Sequence, residues 1–276
     1  MKKYEMGGDY EMVEKLFFFA ISLFASTVGA ICGIGGGVII KPVLDMFSSD
    51  SVSTISFMSG CTVLAMSLYS VGKSMAAGEK TVELKSVTPL ALGAAIGGIA
   101  GKLLFDVVKK SSGNPDGVGT VQSVCLAIMT IMTLVYTLNK SKIKTYRIDN
   151  AAISVIVGLT LGIMSSFLGI GGGPINLVIL YFFFSMATKQ AAANSLYIIL
   201  FSQITSFLFT IFTGTVPVFS PLSLGLMVAG GVLGGMLGRK VNKKINNETV
   251  EKLFAGLMVL IIGISIFNSL RYSGMI

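Results

Sequence analysis

Apolar residues in this chain do not alternate with polar ones. They run in blocks, near 16–31, 55–72, 87–101, 118–138, 151–168, 174–187, 195–213, 222–238 and 253–267, and every charged side chain falls in the gaps. Blocks with no polar face predict helices that have no water to face, so the pattern predicts an all-α polytopic membrane protein.

Composition agrees: 53% of the 276 residues are hydrophobic and 12% charged, which excludes a soluble globular domain. The block at 16–31 is expected to stay in the protein rather than act as a cleaved signal. Its flank is acidic as well as basic (Lys2, Lys3, Glu5, Asp9, Glu11, Glu14, Lys15), and it has a twin at 151–168.

Sliding the chain by 136 residues lays Cys32-Gly33-Ile34-Gly35-Gly36-Gly37 on Leu168-Gly169-Ile170-Gly171-Gly172-Gly173. A shift of 137 lays Gly97-Gly98-Ile99-Ala100-Gly101-Lys102 on Gly234-Gly235-Met236-Leu237-Gly238-Arg239. Two motifs recurring in one order mark an internal duplication: a first membrane repeat over 14–139, a basic connector over 140–148 and a second repeat over 149–271.

The net charge of +8 sits in Lys/Arg clusters beside apolar blocks, which reads as membrane topology rather than nucleic-acid binding. Lys140, Lys142, Lys144 and Arg147, like Arg239, Lys240, Lys243 and Lys244, are assigned to the cytoplasm. Two spans, joined by the uncharged loop 213–219, then lie between the clusters after the paired segment 149–187. That pair must begin and end inside, and the span at 250–271 makes the count odd. The repeats are therefore expected to be inverted, with both ends, Lys109 and Thr215 outside and Lys80, Lys142 and Lys243 inside. Lys102, Lys109 and Lys110, only partly offset by Asp106 and Asp116, resist this rule by facing outward.

The segments after the glycines, 37–47 and 174–187, are too short to span a hydrocarbon core of about 30 Å, and are expected to be half-helices. Glycine-interrupted segments at matching places of two repeats point to a transporter's binding site. Glycine reaches positive φ and lets main-chain N–H groups converge at a helix start, a geometry that attracts anions. Pro174 suits the first helical turn that follows. The alternative is tight helix crossing. It is preferred for Gly93/Gly97/Gly101 and Gly230/Gly234/Gly238, spaced by four, whereas the consecutive glycines fit no single helix face. A nucleotide-binding loop is disfavoured, because no strand precedes it and no ribose-binding acid follows.

With its duplicated G-x-G-G-G breaks and paired G-G-x-x-G-[K/R] helices, the chain resembles the TauE/SafE-type sulfite exporter family over nearly its whole length. The resemblance implies a transporter in the bacterial inner membrane that moves sulfite, sulfoacetate or other organosulfonates. It also implies substrate-binding cradles at Gly33, Gly35, Gly36 and Gly37 and at Gly169, Gly171, Gly172 and Gly173, near the midplane. Ser165 and Ser166 replace Gly29 and Ala30 beside the second cradle, and Asn176 matches Ile40.

Polar stripes follow each break: Ser59, Thr62 and Ser70, then Ser195, Ser202 and Ser206, with Asn194 and Gln203 nearby. Ser59, Asn194 and Ser195 are taken as contacts for sulfonate oxygens; the alternative is ordinary interhelical hydrogen bonding. Lys41 can neutralise an anion or pair with Asp45 four residues on. Cys32, Cys61 and Cys125 lack disulfide or metal spacing and read as small buried hydrophobes.

No cofactor or metal is expected, and histidine is absent. The partners expected are a small anion, the bilayer and, as one option, a second copy of the chain. Rival readings are an uptake permease and a membrane assembly subunit; an enzyme is disfavoured because Asp45 is the one carboxylate expected within the membrane.

Overall fold

Without water, every backbone N–H and C=O must find its partner within the protein, and a helix supplies those partners within a single segment. The structure, a computed structural model, describes residues 2–79, 81–111 and 115–275, with side chains from residue 12 onward except 115 and 116. Lys80 and the side chains of Lys2, Lys3, Glu5, Asp9, Glu11 and Asp116 lie outside the described residues. Among those described there are ten α-helices, one 3₁₀ turn and no strand.

One order of elements occurs twice. First come α1 (Lys2–Cys32), the short α2 (Gly37–Phe47), α3 (Val52–Ala76), α4 (Leu84–Ser111) and α5 (Pro115–Asn139). Then come α6 (Ala151–Leu168), the short α7 (Pro174–Phe184), α8 (Thr188–Phe212), α9 (Pro221–Lys244) and α10 (Asn247–Tyr272). Eight helices are long and apolar enough to cross a membrane, and α2 and α7 are not among them. This is a multi-pass membrane protein.

Helix ends follow local chemistry. Ser51, Asn150, Ser220 and Asn246 accept hydrogen bonds from the first free N–H groups of α3, α6, α9 and α10. The second short helix ends at Phe184, earlier than the expected 187, because Ser185 turns left-handed at φ 51° and Oγ donates to Tyr146 O at 2.9 Å. All the long helices but α6 outrun their apolar blocks at one end or both, since extending a helix into the interface keeps its backbone paired.

The surface inverts the soluble pattern. Leu92, Ile96, Met132, Leu233 and Val259 are exposed, while Ser59, Thr62, Asn194 and Ser195 are fully buried. Helices α3 and α8 form the polar centre, and α4, α5, α9 and α10 present apolar side chains outward.

The glycine stripes set helix register. A Cβ at Gly93, Gly97 or Gly101 would lie 2.1, 2.1 or 2.4 Å from the carbonyl oxygens of Val155, Leu159 and Ile163, so α4 and α6 touch backbone to backbone. Gly230, Gly234 and Gly238 meet the carbonyls of Phe19, Leu23 and Thr27 in the same way. In both pairs the numbers rise together, so α4 runs parallel to α6 and α9 parallel to α1. Gly231 and Gly235 likewise rise along Thr62 and Met66, which makes α3 parallel to α9.

Candidate functional site

Each break opens by the same move. Gly33 and Gly169 end the preceding helices at φ 76° and 65°, and two residues on Gly35 and Gly171 turn again at 75° and 70°. Such angles cost a residue with a Cβ dearly. The breaks then diverge: Gly172 takes φ 144°, whereas Gly36, also expected to need positive φ, sits at −71° in ordinary helical territory. Glycine at 36 is required instead by space, since a Cβ there would stand 2.8 Å from Ser26 Oγ.

The two breaks touch. A Cβ on Gly37 would fall 2.0 Å from Ile170 O, and one on Gly172 3.4 Å from Ile34 O. Two aliphatic side chains related by the 136-residue shift, Val63 of α3 and Ile199 of α8, are wedged between them: Val63 against Gly35 and Gly171, Ile199 against Gly35 and Gly172. Both are almost fully buried. The main-chain N–H groups of Gly35, Gly36 and Gly37, and of Ile170, Gly171, Gly172 and Gly173, make no hydrogen bond with the described residues. Buried donors of this kind are rare. Ser26 lies against Gly36 and Ser166 shares a small cavity with Gly169; their hydroxyls are buried without a partner, as are those of Ser59, Ser165, Ser195 and Ser202 on α3, α6 and α8 and Asn176 Oδ1.

A charged pair sits beside this centre, with Lys41 Cε 3.4 Å from where a Cβ on Gly169 would stand. Lys41 Nζ pairs with Asp45 Oδ2 at 2.6 Å, both buried, so neither presents net charge. On one face a cavity of about 350 Å³ leads inward, lined by Ser70, Ser74, Lys189, Arg239, Asn242 and Lys243, and reaches Ala30 and Ala192. Ala192 is the residue against which Gly33 packs. At its mouth Glu79 bridges Arg239 at 2.8 Å and Lys243 at 2.6 Å. The Lys243 hydrogen bond, aided by Ser74 and Arg239, holds the Glu79 carboxyl below its ordinary pKa.

The profile of the family described as Sulfite exporter TauE/SafE matches residues 18–266. The chain belongs to the TauE/SafE sulfite exporter family. It is also similar to "Probable membrane transporter protein YunE" of Bacillus subtilis (strain 168), at 25% identity over 211 residues that cover 67% of this chain and 74% of the relative. No solved structure matches it significantly. The TauE/SafE match makes this chain a membrane transporter.

Within this TauE/SafE protein, the sequence-predicted residues divide into two groups. The cradle glycines come together at the touching breaks, Ser166 shares a small cavity with Gly169, Ser165 precedes it on α6, and Asn176 lies in the first turn of α7. Ser59 and Ser195 stand one helical turn before Val63 and Ile199. Asn194 is elsewhere: its amide accepts from Glu83 N at 2.9 Å and donates to Thr81 O and Gln190 O, pinning the 81–83 segment to α8. Two features escaped the sequence reading, the Val63/Ile199 wedge and the Arg239-lined cavity. The repeat offset carried a signal for both, since it pairs Val63 with Ile199 and Arg239 with Lys102.

Proposed function

We propose that the protein exports small sulfur-containing anions, sulfite or organosulfonates, held between the glycine breaks by main-chain N–H groups and serine hydroxyls. One observation carries this: two breaks in contact, whose buried N–H groups find no partner among the described residues, with the unpartnered hydroxyls of Ser26 and Ser166 beside them and the nearby Asp45 paired with Lys41. Main-chain donors left without a partner among the described residues, at the starts of two short helices, suit an oxyanion. The contacts proposed are the amides of Gly35, Gly36, Gly171 and Gly172 with Ser59, Ser165, Ser166 and Ser195. Access runs through the cavity beside Arg239.

The same reading takes 14–139 and 149–271 as inverted repeats around a cytoplasmic connector at 140–148. Parallel pairing of α9 with both α1 and α3, and of α4 with α6, supports it, because α4 follows α3 through a short turn and so runs against it; α6 then opposes α1. Lys140 pairs with Glu251 at the start of α10 and Lys189 Nζ donates to Ile245 O, which puts the connector on the same face as the end of α9.

Purified protein reconstituted in liposomes should show saturable counterflow of sulfite or sulfoacetate, and sulfate or phosphate should compete poorly. Counterflow of none of these anions, from protein that is folded and monodisperse, would reject the reading.

A further inference from the structure

Applied to the cavity beside Arg239, the repeat offset finds a second one. Ser70, Ser74, Ala30 and Ala192 map by 136 residues onto Ser206, Thr210, Ser166 and Ser56, and Arg239 maps by 137 onto Lys102. Lys102, Ser56, Ser166, Ser206 and Thr210 do line one small cavity, beside Gly169 of the second break. The two differ mainly in size. The first holds about 350 Å³ and the second about 30 Å³, room for no more than a water or two.

The small cavity is equipped for an anion. Ser56 Oγ and Ser166 Oγ are buried and have no partner. Lys102 makes no ion pair among the described residues, its ammonium lying 5.6 Å from the Phe105 ring centroid. Lys102 also lines a wider depression of about 550 Å³ with Lys109, Lys110, Asp106 and Thr215. It stands between that open funnel and the closed pocket. Thr215 is the offset mate of Glu79, so the loop that supplies the carboxylate bridging Arg239 supplies none to Lys102, whose neighbouring carboxylate, Asp106 one turn on in α4, makes no salt bridge with it among the described residues.

We propose that Lys102, with Ser56 and Ser166, forms a second binding site for an oxyanion or sulfonate, occluded here, which opens to the Lys109 face when the Arg239 cavity closes. This rests on the anion-transport reading above. It accounts for the outward lysine cluster that breaks the positive-inside rule: a funnel that recruits or releases anions needs cations whatever the topology prefers. Val63 and Ile199 then separate the two cavities, so one opens at a time.

The test is sulfite counterflow in right-side-out vesicles, varying external and internal sulfite separately. Lys102→Gln should raise the external half-saturation concentration at least tenfold and the internal one less than threefold, and Lys102→Arg should restore the external value. Arg239→Gln should show the reverse asymmetry. In a Cys32→Ala/Cys125→Ala background with no sulfite or sulfonate present, a membrane-impermeant maleimide on the Lys109 face should modify Cys61, which lines the small cavity, and should block counterflow. If wild-type counterflow is intact but Lys102→Gln leaves both half-saturation values unchanged, or Cys61 never reacts from that face, the second site is wrong while the transport reading stands. Absence of wild-type counterflow would remove the transport reading first.

Discussion

Ser59, Ser166 and Ser195 are buried hydroxyls with nothing to bond, and leaving such a donor unmade costs a fold about 1–3 kcal/mol. Alanine at these places should therefore leave thermal stability unchanged or slightly raised, while a hydrogen bond to a charged oxyanion is lost, at about 1.5–3 kcal/mol or roughly 10- to 100-fold in affinity. Melting in detergent and sulfite binding, measured on the same samples, separate the two effects; a destabilised Ser166→Ala with normal binding would make the hydroxyl a packing group. Glu79 offers a pH-dependent counterpart. Its folded pKa is depressed, so the stabilisation its bridge gives is complete above the ordinary carboxylate value and is lost as pH falls through the depressed one. Glu79→Gln at pH 7 should imitate that loss and speed maleimide labelling of a Ser74→Cys reporter several-fold. Ser165 and Ser166 stand out in the sequence as polar residues near the end of an apolar block, just before the second break. The engagement of Asn194 was not legible there, since its partners Thr81 and Glu83 come from another part of the chain.

At the scale of elements, the unbroken apolar blocks located every long helix, and the duplicated glycines located both short ones. Helix ends were less legible, because termination depends on capping side chains and on tertiary contacts such as that from Ser185 to Tyr146. The glycine stripes and the glycine breaks serve different ends, and substitution should show it. Gly97→Val would drive a side chain into the Leu159 carbonyl, where backbone cannot yield, and should abolish monodisperse protein in size-exclusion chromatography. Gly72→Ala in α3 meets nothing within 4 Å and should leave the yield unchanged. The wedge between the breaks predicts a third phenotype. Val63→Ala/Ile199→Ala should stay folded but join the two cavities, raising a substrate-independent chloride leak in liposomes and admitting sulfonates bulkier than sulfoacetate. A double variant as tight as wild type would show that the barrier lies elsewhere.

At the scale of the whole molecule, the direction of transport follows from charge rather than from either mouth. The cations beside Arg239 and Lys102 can speed capture and release, but a passive carrier speeds both directions together, so binding at a mouth cannot drive net flow. The membrane potential can. A monoanion leaving an inside-negative cell gains about 2.3 kcal/mol per 100 mV, and uptake must overcome the same sum. Proton-coupled uptake needs a titratable group free to cycle within the membrane; here Asp45 is bound to Lys41 and histidine is absent. Net efflux of sulfite from liposomes should therefore accelerate when valinomycin sets an inside-negative potential, with no proton or Na⁺ gradient, by about tenfold for each 60 mV if one full charge crosses in the slow step. Lys41→Met/Asp45→Leu, which removes the buried pair together, should keep that voltage dependence. Efflux that ignores the potential and follows an imposed proton or Na⁺ gradient would instead make the protein a coupled transporter, with Asp45 the first residue to test as the proton carrier.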